Sequence, residues 1–218
     1  MPRSRATRIL VRIAIVLAAL AGFMYLFLRS AESVRTEPYV VERKHMEPWT
    51  LEIEAPATTG SAILVARPPQ DFGGRLFDQI FLRMMESLEG SPRAGVPLVL
   101  RGEYDQALAD RYTPQALLDA ARTAGVGSSA FTPVCVAVRR ISEPGRTRQV
   151  YFVVFESPAF VQFRAWIGRD LKGLPAERFD PASLSPVLIL GGSEGDLGRW
   201  LPIAATAEID CVAPSKVK

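Results

Sequence analysis

The sequence is poor in the side chains that most enzymes use for chemistry. Its 218 residues include one histidine and two cysteines, and lysine supplies only four of its 26 basic side chains. The lone histidine, His45, sits beside Lys44 in a charged stretch close to a long apolar run. That is a poor place for the base of a Ser–His or Cys–His pair, which must be held against its nucleophile. A single histidine also argues against the ordinary zinc constellations. Lys44, Lys172, Lys216 and Lys218 fall in stalk, loop or tail positions, which disfavours Schiff-base chemistry. No catalytic residue, cofactor or metal is assigned on these grounds.

A positively charged globular part is lacking as well. The formal charge is +3, but residues 1–35 hold six arginines (Arg3, Arg5, Arg8, Arg12, Arg29 and Arg35) against Glu32, a balance of +5. Residues 36–218 keep 20 basic and 22 acidic side chains, a balance of −2. Nucleic-acid binding normally rests on a basic field, so nucleic acid is not expected as a partner. Arg139, Arg140, Arg146 and Arg148 flank an expected hairpin turn and read as solvated charges.

What is present is one long apolar run. Ile13–Leu28 is 16 residues without a charge, about 24 Å as a helix. Extending it back to Ile9 gives 20 residues and about 30 Å, the thickness of a bilayer core. Arg12 is one turn inside the end, where its guanidinium can reach the headgroups. Tyr25 lies near the far end, where an amphipathic ring is comfortable. Ala19-Leu20-Ala21 loosely resembles a signal-peptidase site, but the apolar residues Phe23–Leu28 follow it, so an uncleaved anchor is preferred.

The chain therefore divides into a basic segment 1–8, a transmembrane signal anchor 9–28 whose partner is the lipid bilayer, a charged stalk 29–49 and a domain 50–218. Positive charges stand on both sides of the span, so the positive-inside bias is slight. The signal-like layout still favours an inner-membrane anchor with the domain in the periplasm. A domain facing the cytoplasm is the alternative.

Thr50–Glu54 alternates like a half-buried strand, and Ser61–Ala66 is a second strand. Gly73–Glu89 patterns as an amphipathic helix, with Leu76, Phe77, Ile80, Phe81, Met84, Met85 and Leu88 on one side. Gly90 is its expected C-cap and Pro92 its stop. Pro97–Leu100 is a short strand and Glu103–Tyr112 a helix. Thr113-Pro114 and Ser157-Pro158 have the form of helix openings, a hydroxyl cap before proline. Thr132–Ile141 and Arg148–Phe155 form a hairpin across Ser142–Gly145. Pro186–Leu190 and Ile203–Val212 are the last strands. The order implies an α+β fold, one N-terminal transmembrane helix followed by a single domain with a mixed or mainly antiparallel sheet and about four helices.

Three places could carry chemistry. Gly191–Gly198 follows an apolar strand, and Ser193, Glu194, Asp196, Arg199 and Trp200 form its candidate ligand set. Glu194 and Asp196 would repel an anion, so a cation or polar ligand suits it better than phosphate, and an ordinary turn is the simpler account of the loop. Glu103, Asp105 and Asp110 cluster near Tyr104 and Tyr112, and a solvated helix face is the simpler account. Cys135 and Cys211 each fall in an expected strand, where a disulfide and two buried thiols are the alternatives. The leading expectation is a non-catalytic, membrane-anchored interaction or assembly domain of the cell envelope with an envelope protein partner. Its rival is a small-molecule-binding module or hydrolase using the Gly191–Gly198 loop.

Overall fold

The computed structural model describes residues 5–54, 62–84, 86–91, 94–129, 131–171, 179–205 and 210–218. It divides into two compact units, Met1–Glu37 and Pro38–Lys218. The first holds helix α1, Arg5–Thr36. Within it Arg12–Ser30 is 19 residues long with a mean hydropathy of 2.0, long and apolar enough to cross a membrane. Its apolar side chains are exposed, Phe23 at 69%. The helix outlasts the apolar run because nothing between Leu28 and Thr36 breaks it. It stops where Glu37 precedes Pro38, a position that disfavours helical backbone.

The second unit runs β1 (Tyr39–Val41), β2 (Thr50–Ile53), β3 (Ala62–Arg67), α2 (Gln70–Met84), β4 (Glu89–Gly90) and β5 (Val96–Leu100). It continues with α3 (Arg101–Glu103, prolonged by a π turn over Tyr104–Leu108), α4 (Pro114–Thr123), β6 (Thr132–Glu143), β7 (Arg146–Glu156), α5 (Pro158–Asp170), β8 (Val187–Gly192) and β9 (Cys211–Val217). The six-stranded sheet has the order β1-β9-β6-β7-β8-β4, and a smaller sheet has the order β2-β3-β5. Among the described residues only β1 and β9 pair in parallel, and every other neighbouring pair is antiparallel. The fold is α+β with a mixed sheet, as its alternation of hairpins and crossovers implies.

Several boundaries differ from the sequence reading. The stretch read as stalk is divided: residues 29–36 prolong α1, and from Pro38 the chain belongs to the folded unit. Tyr39, Val41, Met46 and Trp49 are buried in the main core. Helix α2 starts at Gln70 and ends by Met84, and Gly90 lies in β4, not in a cap. Met85 and Pro92 lie outside the described residues. The last strand is Cys211–Val217, while Ile203 packs as a loop residue into the core.

Local chemistry explains the helices that fall where expected. Thr113 accepts from the Ala116 N–H at 3.2 Å, and Ser157 accepts from the Phe160 N–H at 3.4 Å. Helix α4 closes on Gly125, whose φ of 77° is left-handed. There the Gly125 N–H donates to Arg122 and the Val126 N–H to Ala121.

Strand β7 is buried on both faces. Tyr151, Val153 and Phe155 enter the main core. Val150, Phe152 and Val154 enter a second cluster with Cys135, Ile189, Leu197, Trp200 and Ile203. Alternating residues of a strand point to opposite faces, so an unbroken apolar run suits a strand covered on both sides. In the main core the Trp49 ring lies 4.3 Å from Phe131 and meets Phe155 edge-on at 5.5 Å.

The largest fully buried side chain is a charged one, Arg164 of α5. Its guanidinium donates from Nη2 to Glu103 Oε1 at 2.6 Å and from Nη1 to Glu103 Oε2 at 3.1 Å. It also donates to the carbonyls of Leu98 (3.1 Å), Asp180 (2.8 Å) and Pro181 (3.0 Å) and to Ser183 Oγ (3.2 Å). The Phe179 ring lies 4.8 Å beneath it. Glu103 in turn accepts from the Leu100 N–H at 2.9 Å, holding the first turn of α3 against the end of β5.

Removing one member of such a pair leaves the other charge buried and unmatched. Arg164→Ala is expected to cost about 3–5 kcal/mol in urea unfolding of the detergent-solubilised chain, followed by tryptophan emission. Arg164→Lys, which keeps the charge but loses the fork, should fall between wild type and Arg164→Ala. An unchanged midpoint for Arg164→Ala would contradict the structural role.

Candidate functional site

The Gly191–Gly198 loop is built from close backbone approach. A Cβ on Gly191 would lie 2.7 Å from the Glu89 carbonyl and 2.7 Å from the Phe77 ring. A Cβ on Gly192 would lie 2.9 Å from the Gln149 carbonyl and 2.9 Å from Leu197. Glycine there lets β4 and Phe77 close over β8. Ser193 extends the β7–β8 ladder: its N–H donates to the Gln149 carbonyl at 2.9 Å, and its Oγ accepts from the Gln149 N–H at 3.0 Å.

Glu194 faces Arg146 at 3.2 Å and Arg148 at 3.6 Å across the hairpin. Asp196 is exposed, Trp200 is buried in the second cluster, and the Arg199 side chain lies outside the described residues. Four of the five candidate ligand residues are thus placed, and they do not converge on one point. Nor are all the hairpin arginines simply solvated: Arg148 is buried against Glu143, and Arg139 pairs with Asp210 at 3.0 Å.

Gly191-Gly-Ser-Glu-Gly195 also spells G-x-S-x-G, a match the sequence reading missed. A nucleophile elbow joins a strand to a helix beneath a histidine. Here β8 is antiparallel to both neighbours, a short 3-10 turn over Leu197–Trp200 follows, and Ser193 Oγ is engaged with Gln149. The sole histidine faces Glu42 and Asp71 instead. Ser215-Lys-Val-Lys218 likewise spells S-x-x-K, but it begins in β9, and residues three apart on a strand point to opposite faces.

The acidic cluster disperses. Glu103 is locked to Arg164, while Asp105 and Asp110 face solvent. Tyr104 donates to the Tyr112 carbonyl at 2.9 Å, and Tyr112 donates to the Asp170 carboxylate. Cys135 and Cys211 are joined in a disulfide with Cα atoms 5.8 Å apart, tying the start of β9 to β6.

A cavity of about 310 Å³ opens where β1, the 3-10 turn Arg43–His45 and α2 meet. Val40, Val41, Glu42, His45, Phe72, Arg75, Leu76, Asp78 and Gln79 line it. The wall is fixed by Gln79, whose amide oxygen accepts from the Val40 N–H at 3.0 Å and whose amide nitrogen donates to the Val40 carbonyl at 2.9 Å. This side chain covers the open edge of β1 as a neighbouring strand would. His45 Nε2 is buried without a hydrogen-bond partner among the described residues. It lies 3.7 Å from Glu42 Oε2, and Nδ1 lies 3.8 Å from Asp71 Oδ2.

Sequence reasoning passed over this cavity because it treated His45 as part of a stalk. The alternation of buried Tyr39 and Val41 was the available signal.

Next to the cavity, α2 presents an apolar surface. Phe72, Leu76 and Ile80 are buried, as its periodicity implies. Phe81 and Leu82 are not: they are 47% and 75% exposed, and Phe81 stacks on Phe77 with centroids 6.4 Å apart. No family model, no curated protein and no solved structure matches this chain.

Tyr112 offers a direct check on this geometry. Burial, and then the Asp170 carboxylate, push its hydroxyl up from 10.0 to about 12. A raised folded-state value favours the neutral phenol. The Tyr112–Asp170 contribution is therefore complete below about pH 10 and lost as pH rises through about 12. Ultraviolet titration of phenolate should show a late step that loses one phenol in Tyr112→Phe, while Tyr39 and Tyr151, also raised by burial, keep theirs. Coincident late steps in wild type and Tyr112→Phe would contradict the contact.

Proposed function

We propose that this chain is a membrane-anchored, non-catalytic interaction or assembly component of the cell envelope, held in the inner membrane by its N-terminal helix with the folded unit in the periplasm. The observation that carries the reading is the exposure of Phe81 and Leu82 on α2, 47% and 75%, with Phe81 stacked on Phe77, whose ring packs over Gly191. Contiguous exposed apolar surface on a globular unit marks a place for a partner. The charges on and beside α2 are of both signs, Arg75, Asp78, Arg83 and Glu86. That mixture suits a protein surface, whereas an anionic lipid surface would select a basic rim.

Two further features support the reading. The side chains most suggestive of chemistry hold the fold: Glu103 with Arg164, Ser193 with Gln149, Glu194 with the hairpin arginines. That engagement favours the interaction reading over the rival small-molecule-binding module or hydrolase at Gly191–Gly198. The Cys135–Cys211 disulfide suits an oxidising compartment outside the cytoplasm.

A photo-crosslinking residue in place of Leu82 is expected to yield one discrete protein adduct in native membranes. The same residue in place of Asp119, exposed on α4, should yield none. Leu82→Asp is expected to lower recovery of that partner at least about tenfold while shifting unfolding by no more than about 0.5 kcal/mol, as for an exposed position. Adducts with lipid alone, or none, would overturn the reading.

A further inference from the structure

The Cys135–Cys211 disulfide fastens a strand that holds its neighbour weakly by other means. We infer that it is a redox lock on the first half of β9. Oxidised, it seats Cys211–Pro214 on β6. Reduced, it lets that half leave β6 while the rest of the sheet keeps its pairing.

Strand β9 is shared between two neighbours. Its second half pairs with β1, Tyr39 with Ser215, Val40 with Lys216 and Val41 with Val217. The Lys218 N–H donates to the Val41 carbonyl at 2.9 Å, and the Arg43 N–H to the Lys218 carbonyl at 2.8 Å. Gln79 holds β1 to α2 in turn. The first half lies on β6, with Cys135 opposite Pro214, Val136 opposite Ala213 and Ala137 opposite Cys211.

That second ladder is poor. Its register breaks between Val136 and Ala137, and a break of this kind leaves backbone groups unpaired. Pro214 has no N–H to give. Within β9 only Ala213 is buried, so little apolar surface holds the strand down. Arg139 Nη2 reaches Asp210 Oδ2 at 3.0 Å just before the strand, and the partly exposed guanidinium makes this a weak tie. The covalent bond is therefore what keeps Cys211–Pro214 in place. Strand β6 does not depend on it, because it pairs with β7 from Thr132 to Glu143, and β7 is buried on both faces. Opening of the first half of β9 is thus a local event, separate from unfolding of the sheet.

The two sulfurs differ in access. Cys135 is 2% exposed, whereas Cys211 is half-buried. A thiolate of a dithiol reductant attacks Cys211 Sγ, forms a mixed disulfide there and expels Cys135 as a thiolate, which takes up a proton. The second thiol of the reductant then displaces Cys211, which is protonated in the same way. The reductant leaves as its own disulfide, having given two electrons and two protons. The freed strand uncovers the backbone edge of β6 at Cys135–Ala137.

The experiment is hydrogen–deuterium exchange of the full chain in phosphatidylcholine nanodiscs, read by mass spectrometry before and after dithiothreitol. Alkylation of both cysteines marks complete reduction. Exchange at Val212 and Ala213 is expected to rise at least about tenfold, with Val150–Phe155 of β7 unchanged. The double variant Cys135→Ser, Cys211→Ser should show the same opening without reductant, and reduction of the wild-type chain decides the matter if that variant does not fold. Unchanged exchange at Val212 and Ala213 after complete reduction would mean that the strand holds without the bond. Equal acceleration at Val150–Phe155 would mean that the bond staples the whole fold. Either result would overturn the inference.

Discussion

A guanidinium sealed away from water is the constraint on which the rest of this fold depends. Arg164 is fully buried, and it is tolerable there only because its donors are matched. Those acceptors come from separate parts of the chain: the Leu98 carbonyl of β5, the Glu103 carboxylate of α3, and the carbonyls of Asp180 and Pro181. Satisfying one side chain therefore fixes α5, the exit of the small sheet and the segment leading into β8. Glu103 looks like a candidate acid in the sequence, and in the fold its charge is consumed in this contact.

Other arginine forks do similar work nearer the surface. Arg67 of β3 pairs with Glu52 at 2.6 Å and with Glu54, binding the two strands of a hairpin. Arg148 pairs with Glu143, and Glu194 reaches both Arg146 and Arg148. A planar guanidinium holds a carboxylate in two directions, which a lysine cannot do. The chain's preference for arginine over lysine thus has structural use at these sites, although composition alone gave no hint of it. On the opposite face of β7, the disulfide closes the second cluster against β6.

Much of the architecture was legible where local chemistry acts alone. The long apolar N-terminal helix, the two hydroxyl–proline helix openings and the β6–β7 hairpin follow from hydropathy, capping and turn preference. What the sequence hid depends on distant partners. Strand β1 is three residues long, and its backbone is paired by β9 on one side and by the Gln79 side chain on the other. Strand β9 carries Pro214 and Lys216 and reads as a tail, yet it lies between β1 and β6. Arg164 was hidden because a charge within an apolar helix face is ordinarily assigned to solvent.

The candidate sites show the same division. Ser193, Glu194 and Trp200 draw attention as residue types, and the fold commits them to a ladder, a hairpin and a core. His45 comes to line a cavity only because α2 closes over β1, a long-range contact that no local sequence pattern shows. The proposed envelope role rests on two features: a helix long and apolar enough to span a membrane, and a disulfide in the folded unit.

The most direct test is made on native membranes whose proteins are denatured and treated with a maleimide mass tag, with and without prior reduction. An extracytoplasmic unit predicts no tag on Cys135 or Cys211 until reductant is added, and a tag on both afterwards. Tagging of both cysteines without reductant would place the unit in a reducing compartment and contradict this account.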